Sequence, residues 1–201
     1  MRIALACLFA AAAVTLAACG KEEAPAPSSA ATAGSAAAQK PAAVDIDAIA
    51  SKAQGFSVGP AMSARVVYVF FDAQCPHCAA LWEFAKPLKT QARFVWLPIS
   101  LLNGNSTTQG AAILASPDPA AAMEGHEASM REKQGGIVAQ GNIEPQLATV
   151  KSNTELFNKY GFNSVPALVT KNAQSGAVVT HEGAMPTAEL ASWLGVQTTQ
   201  Q

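Results

Sequence analysis

The sequence predicts an α/β domain in which a β–α–β unit is separated from a later pair of strands by a helical stretch. An apolar run over residues 66–71 and a second strand-like segment over residues 93–99 are joined by a segment whose apolar residues have helical spacing. Because a helix connects these two strands, they should lie parallel. Two further strand-like segments lie close together near the C-terminus, as in a hairpin.

The first half of the domain combines strand-like and helical periods. Residues 66–71 are continuously apolar and are β-branched or aromatic, which is typical of a strand buried on both faces. The apolar residues of the following helix are Cys78, Leu81, Trp82, Ala85 and Leu88. Pro87 should kink that helix or end it early. Ahead of this unit, weak alternation over residues 44–56 predicts a short helix before Gly59 and Pro60.

A helical insertion is predicted from residue 103 to about residue 160, where the composition favours helices. Breaks are expected at Pro117, Pro119, Gly135, Gly136, Gly141 and Pro145. Residues 167–170 and 177–180 should form an antiparallel hairpin, and residues 186–194 a closing helix. The order β–α–β, helices, β–β–α is that of a thioredoxin fold with a helical insertion between its two halves.

The N-terminal residues indicate export from the cytoplasm. A short positive region precedes an almost wholly apolar run over residues 3–18. This run is shorter than the roughly 20 residues of a membrane-spanning helix and is typical of a signal peptide. We therefore assign residues 1–18 to a signal peptide, residues 19–44 to a flexible tether rich in Ala, Pro and Ser, and residues 45–201 to the folded domain.

The end of the apolar run, Leu16-Ala17-Ala18-Cys19-Gly20, resembles a bacterial lipobox. The resemblance implies cleavage before Cys19, lipidation of its sulfur and acylation of its new amino group. Two or more acyl chains anchor a protein stably to a membrane. Gly20, rather than Asp, favours the outer membrane. The alternative is an ordinary signal peptide cut elsewhere, with Cys19 as a spare thiol.

Two of the four cysteines remain as thiols in the predicted mature protein. Cys7 would be removed with the signal peptide and Cys19 would be lipidated, which leaves Cys75 and Cys78 in a C-x-x-C pair at a predicted helix start. The free N–H groups and the positive dipole end of a helix stabilise a thiolate at Cys75, and a charged His77 would add to this effect. The pair is therefore predicted to be redox-active, with no structural disulfide framework around it.

Other kinds of chemistry fit the sequence poorly. Zinc would need two ligands beyond the cysteines, and His77, His126 and His181 show no ligand spacing. Haem attachment requires a histidine after the second cysteine, where this chain has Ala79. The formal charge is −1, from 13 basic and 14 acidic residues, so no basic face for nucleic acid is predicted. We expect no metal, and no cofactor other than the Cys75–Cys78 disulfide.

The segment from Val67 to Cys78, Val-Tyr-Val-Phe-Phe-Asp-Ala-Gln-Cys-Pro-His-Cys, resembles the active-site strand and helix start of the periplasmic disulfide-bond proteins DsbC and DsbG. Residues 111–120 are similar to a stretch of the helical insertion of the DsbG type. Val165–Pro166 stands where this superfamily has a cis-proline that faces the disulfide and contacts the substrate. The likeness covers roughly residues 64–194.

This sequence departs from the pattern of the DsbC and DsbG group in three ways. The region that corresponds to an N-terminal dimerisation domain is replaced by the predicted anchor and tether, which puts the V-shaped dimer and efficient isomerase activity in doubt. The dipeptide Pro76–His77 matches the oxidant DsbA instead. Val165, before the predicted cis-proline, is likewise typical of DsbA, whereas the DsbC and DsbG group usually has Thr.

The pattern and the resemblance together assign roles to the residues of the motif. Cys75, the more N-terminal and more exposed of the pair, is expected to attack, and Cys78 is expected to resolve the mixed disulfide. Pro76 and His77 are expected to tune the redox potential. We expect a cis peptide bond before Pro166.

A few other polar and aromatic residues receive structural roles or none. Asp72 ends the strand before the active site, either as a cap of the loop or as a proton relay. His126 and His181 are expected at the surface. The tryptophans, which are assigned to the core, are Trp82, Trp96 and Trp193.

The leading interpretation is an extracytoplasmic thiol:disulfide oxidoreductase, anchored to a bacterial membrane by its lipid, that acts on exported proteins. As a reductase it would reduce protein disulfides or sulfenic acids and would be recharged by a DsbD-like membrane donor. As an oxidase it would donate its own disulfide and would be reoxidised by a DsbB-like partner. The family likeness favours reduction, whereas Pro76–His77 and Val165 favour oxidation. A third alternative is a lipid-anchored binding or chaperone module without turnover.

Overall fold

The computed structural model describes residues 42–197, which contain a five-stranded sheet and six α-helices. The strands are β1 (Phe56–Val58), β2 (Val66–Asp72), β3 (Arg93–Ile99), β4 (Ala167–Lys171) and β5 (Val178–Glu182). The helices are α1 (Ile46–Lys52), α2 (Pro76–Ala85), α3 (Gly104–Ala115), α4 (Pro119–Arg131), α5 (Glu144–Lys159) and α6 (Thr187–Leu194). None of the helices in this described part has the length and apolar character needed to span a membrane. The predicted signal peptide, Cys19 and most of the tether lie outside the described residues.

The sheet has the order β1–β3–β2–β4–β5, with β2 at its centre. β2 and β3 are parallel over seven residues each, from Val66 opposite Arg93 to Asp72 opposite Ile99. β4 is antiparallel to both β2 and β5. These pairings confirm the predicted thioredoxin fold, in which α3, α4 and α5 form the helical insertion between the two halves.

The first elements differ from those that the sequence predicts. Helix α1 is shorter than the predicted segment of residues 44–56 and begins after Asp45, whose carboxylate accepts hydrogen bonds from two N–H groups of the first turn at 3.0 Å. Phe56 then begins β1, an unpredicted strand that pairs antiparallel with β3 and buries the Phe56 ring. A strand of three residues is too short to show a period of two, so its formation depends on the partner strand.

Two of the three tryptophans lie inside the aromatic core and Trp193 packs against it, so the assignment of all three to core packing is confirmed. Trp82 and Trp96 are buried and pack edge to face, with ring centroids 5.0 Å apart. Phe71 packs edge to face against Trp96 at 5.8 Å and so joins β2 to this group. Trp193 is only half-buried and lies against His181, which is also half-buried rather than exposed.

Asp72 connects the two loops that leave β2 and β3. Its side chain is fully buried, and its Oδ1 accepts a hydrogen bond from the Gln74 N–H at 2.8 Å. Oδ2 accepts from the N–H groups of Leu101 and Leu102 at 2.7 and 2.9 Å. Of the two roles that the sequence leaves open, these contacts are those of a loop cap, and they fix the segment that leads into α2.

Replacing Asp72 by Asn should lower the free energy of unfolding by about 2–3 kcal/mol, because an amide NH2 cannot accept and would leave a main-chain N–H group without its partner beside a buried side chain. Urea unfolding measures this loss. The control is Asp118→Asn at the N-cap of α4, where one oxygen accepts from Ala121 N–H at 3.0 Å. Asn caps helices about as well as Asp, so this control should change stability by less than about 0.5 kcal/mol. Equal losses in the two variants would contradict the role given to Asp72.

Candidate active site

The C-x-x-C pair lies at the N-terminus of α2. Cys75 is the N-cap residue, with an extended backbone, and Pro76 is the first helical residue, where its missing N–H costs no hydrogen bond. The Cys75 carbonyl accepts hydrogen bonds from the N–H groups of Cys78 and Ala79 at 3.0 and 3.1 Å. The Cys75 N–H in turn donates to the Asp72 carbonyl at 3.0 Å. These bonds hold the Cys75 sulfur beside the first turn of the helix.

Both cysteines of the pair are free thiols, and they differ in burial. The exposed fraction of Cys75 is 6%, whereas that of Cys78 is 0%. The sequence-based order of exposure is therefore confirmed, but Cys75 is more buried than a surface nucleophile would be. The Val165 carbonyl oxygen is one of the groups that lie against its sulfur.

The loop before β4 lies against the thiol of Cys75. The peptide bond between Val165 and Pro166 is cis, as the resemblance of the sequence to the disulfide-bond proteins predicts. The Cys75 Sγ lies 3.5 Å from the Val165 carbonyl oxygen, to which the thiol donates. Ala167, the first residue of β4, pairs with Phe70 of β2, so the pairing of these two strands brings residues 165–166 to the active site.

The pKa of Cys75 is lowered from 9.0 to about 6. The largest cause is the S–H group of Cys78, which donates a hydrogen bond to the Cys75 sulfur, and burial opposes this effect. The backbone N–H groups of Cys78 and His77 lower the pKa further, followed by the charge interaction with the exposed His77 side chain. The role predicted for His77 thus has a physical basis here, but its charge contributes less than the neighbouring thiol does.

The pKa of Cys78 is raised well above its ordinary value. Burial is the largest cause, because a thiolate at this depth would lose its contact with water. The hydrogen bond to Cys75 and the charge on that residue act in the same direction. Near pH 7 the negative charge therefore lies on Cys75 and the proton on Cys78.

A cavity of about 370 Å³ lies between α2 and α4, next to Cys75. Residues of α2 and its cap, among them Cys75 and Ala79, form one side, and residues of α4, among them Glu127 and Met130, form the other. Exposed Arg131 lies at the rim of the cavity. Cys75 therefore borders a cavity whose second wall belongs to the insertion.

The expectation that His126 lies at the surface is wrong. Its side chain is only 1% exposed, on the inner face of α4. Its Nδ1 accepts a hydrogen bond from the Ile137 N–H at 3.0 Å, so the ring proton is on Nε2, which donates to the Ala73 carbonyl at 2.6 Å. Burial lowers the pKa of His126 and keeps the ring neutral. His126 thus fixes the loop before Cys75 to the insertion.

Glu127 is the residue of this site that sequence reasoning missed. Its side chain is 2% exposed and lines the cavity beside Cys75, and its Oε1 has no hydrogen-bond partner among the described residues. Burial raises its pKa from 4.5 to about 7. The signal was present in the sequence, because Met123, His126, Glu127 and Met130 share the spacing of one helix face. Within residues 42–197 no group of His, Cys, Asp or Glu side chains is arranged to hold a metal ion.

The fold and the dithiol at its helix N-terminus define a thioredoxin-like domain. Residues 57–197 match the family model described by that name, and the chain belongs to this family. Among solved structures it is similar to the catalytic domain of Proteus mirabilis ScsC, with a TM-score of 0.57 and 19% identity over 74% of this chain and 96% of that one.

Two curated proteins are similar in sequence, and both are thiol:disulfide interchange proteins named DsbG. The protein of Pseudomonas aeruginosa is 34% identical over 143 residues, which is 68% of this chain and 54% of that protein. The protein of Escherichia coli (strain K12) is 35% identical over 107 residues, which is 51% of this chain and 42% of that protein. The chain thus spans about half the length of the curated relatives that it matches.

Replacing Cys78 by Ala should raise the pKa of Cys75 from about 6 towards its ordinary value of 9.0, because the Cys78 S–H is the largest stabiliser of the thiolate. The ultraviolet absorbance of the thiolate, followed against pH, measures this change. Cys78→Ser is the matched control, since its hydroxyl still donates a hydrogen bond and should produce a smaller rise. A pKa that stays near 6 in both variants would assign the stabilisation to the helix N–H groups and His77 instead.

Proposed function

We propose that this protein is an extracytoplasmic thiol:disulfide oxidoreductase that exchanges disulfides with exported proteins through Cys75 and Cys78. The observation that carries the proposal is the position of the pair: Cys75 is the N-cap residue of α2, its sulfur lies 3.5 Å from the Val165 carbonyl oxygen, and Cys78 is fully buried in the first turn. The lowered pKa of Cys75 and the raised pKa of Cys78 agree with this arrangement. A dithiol of this kind has both a nucleophile and a reserved second thiol. The two DsbG relatives, named thiol:disulfide interchange proteins, support the same activity.

The exchange proceeds in two displacements. The Cys75 thiolate attacks one sulfur of a substrate disulfide, a new S–S bond forms, and the other substrate sulfur leaves as a thiolate. The Cys78 sulfur then attacks Cys75, its proton passes to the departing substrate sulfur, and the Cys75–Cys78 disulfide is formed. Two electrons have moved from the pair to the substrate. The same steps in reverse donate the disulfide, and no metal, flavin or nucleotide takes part.

The remaining site residues act around this pair. Pro76 fixes the start of the helix, and His77 adds positive charge near the thiolate. Val165 and Pro166 bind the substrate segment, because the Val165 carbonyl lies 3.5 Å from the Cys75 sulfur and would meet a substrate backbone bound there. Cys19 carries the lipid that holds the protein at a bacterial membrane, with the outer membrane favoured, and the tether that follows separates the domain from that membrane.

For the direction of electron flow we propose reduction. The pair would reduce disulfides or sulfenic acids of exported proteins, and a DsbD-like membrane donor would restore its thiols. The support is the likeness of residues 67–78 and of the insertion to the DsbC and DsbG group.

Oxidation is the second candidate, and the pKa of Cys75 favours it. At pH 7 a thiol of pKa about 6 is mostly ionised. This ionisation shifts the equilibrium constant between the disulfide and the reduced pair about tenfold towards the reduced pair, relative to an ordinary thiol. For a two-electron couple this corresponds to a disulfide more oxidising by about 30 mV. In this direction the pair would donate its disulfide and a DsbB-like partner would reoxidise it.

Cells that express Cys78→Ser should accumulate mixed disulfides between Cys75 and exported proteins, because the second displacement is blocked while the first still occurs. Non-reducing gels followed by mass spectrometry of the trapped bands measure this. The matched control, Cys75→Ser, should trap nothing. Absence of trapped proteins in both variants, with unchanged cellular effects, would favour a binding module without turnover.

The resting redox state of the pair decides between the two directions. Acid quenching of intact cells, followed by alkylation with a mass-shifting thiol reagent, should show mostly reduced Cys75 and Cys78 if the protein is a reductase. Deleting the membrane thiol donor should then convert the pair to the disulfide. A pair that is mostly oxidised with the donor present would contradict reduction and would identify a disulfide donor.

A further inference from the structure

Glu127 is a buried carboxyl group that the exchange described above does not use. It lies on the inner face of α4, is 2% exposed, and shares the cavity with Cys75. Within residues 42–197 its Oε1 is the one buried carboxylate oxygen without a hydrogen-bond partner. A buried polar atom without a partner costs free energy, so its presence beside a reactive thiol requires an explanation.

The cation that could neutralise Glu127 is engaged elsewhere. Arg131 follows one helical turn later, at the spacing that commonly forms ion pairs on a helix. Its Nη1, however, lies 3.2 Å from Glu83 Oε1 at the rim of the cavity. Glu83 and Glu124 are both also bonded to Lys86, at 2.8 and 2.7 Å. The neighbouring carboxylates are thus paired, whereas Glu127 forms no ion pair with any residue from 42 to 197.

These surroundings favour the neutral, protonated form of Glu127. Burial is the largest influence, and the charges of Cys75, Glu83 and Glu124 act in the same direction, whereas Arg131 opposes them. The resulting pKa of about 7 means that the carboxyl can both hold and release a proton near neutral pH. A purely structural role would be served better by an apolar side chain or by an amide with partners.

We propose that Glu127 is the proton donor of the exchange at Cys75, and that it protonates the atom that leaves the substrate inside the shared cavity. This inference rests on the proposed function, because it requires Cys75 to be the attacking thiolate. The effect grows with the basicity of the leaving atom, since a basic leaving group departs slowly unless it receives a proton. It is largest for a sulfenic acid, whose leaving group would otherwise be hydroxide.

The step balances with the groups at the site. The Cys75 thiolate attacks the sulfur of a sulfenic acid, an S–S bond forms and the S–O bond breaks. The Glu127 proton joins the departing oxygen, which leaves as water, and the carboxylate regains a proton from solvent. The substrate sulfur is reduced and the Cys75 sulfur is oxidised. Cys78 then resolves the mixed disulfide and releases the substrate as a thiol.

The test compares rates of the reduced wild-type protein and of Glu127→Gln with three substrates at pH 6.5. These are a nitrobenzoate aryl disulfide with a weakly basic leaving thiolate, an alkyl disulfide, and the sulfenic acid of a small single-cysteine protein made with hydrogen peroxide. Loss of a general acid should slow the sulfenic acid reaction at least roughly tenfold and the alkyl reaction less. The aryl reaction should change less than about twofold, because its leaving group needs no proton.

Glu132→Gln is the matched control, since it removes an exposed carboxylate at the end of the same helix. It should leave all three rates unchanged. Equal rates of Glu127→Gln and wild type with the sulfenic acid, or an equal loss with all three substrates, would overturn the proposal. If the wild type reacts with none of the substrates, the proposed function itself fails, and the role of Glu127 fails with it.

The wild-type protein provides a second test that does not depend on folding of the variant. The rate with the alkyl disulfide is divided by the rate with the aryl disulfide. Both rates depend in the same way on the ionised fraction of Cys75, so this dependence drops out of the ratio. If Glu127 donates the proton, this ratio should fall as the pH rises through about 7, where the carboxyl ionises. A ratio that is constant from pH 6 to pH 8.5 would overturn the proposal.

Discussion

Burial of β2 between β3 and β4 is the constraint on which the position of the active site depends. The parallel pairing with β3 brings the ends of both strands to one edge of the sheet, where Asp72 binds both departing loops. The antiparallel pairing with β4 places Ala167 opposite Phe70 and therefore brings Val165 against Cys75. A one-residue shift in either register would turn the side chains of the shifted strand to the other face of the sheet.

The chemistry of the pair follows from its unequal burial. Cys75 is the N-cap residue and can bear a charge, because the Cys78 S–H group and the first N–H groups of the helix lie beside its sulfur, whereas Cys78 lies one turn further in and remains protonated. Each thiol influences the other, since the proton held by Cys78 stabilises the thiolate on Cys75. The two sulfurs therefore titrate as one unit, and the redox properties belong to the pair rather than to one residue.

The helical insertion contributes side chains to the active site. His126 fixes the loop that precedes the pair, and Glu127 on the same face of α4 lines the space in front of Cys75. This face of α4 forms one side of the cavity that Cys75 lines. The insertion thus adds polar groups that the β–α–β unit alone would not place beside the thiol.

The sequence by itself determined the features that depend on local order along the chain. The apolar run of β2, the helical spacing of α2 and the adjacent residues Cys75 to Cys78 were sufficient to predict the β–α–β unit and the position of the pair at a helix start. Local periodicity and helix capping act over a few residues, and the sequence shows them directly.

Only the tertiary structure decided which distant residues share the site. Strand β1 is too short to have a period of its own and forms because β3 offers a partner. The sequence predicts His126 at the surface, yet packing of α4 buries it against Ala73. Burial, the partners of a side chain and the pKa that results from them depend on contacts between segments tens of residues apart, which the spacing of residues in one segment does not record.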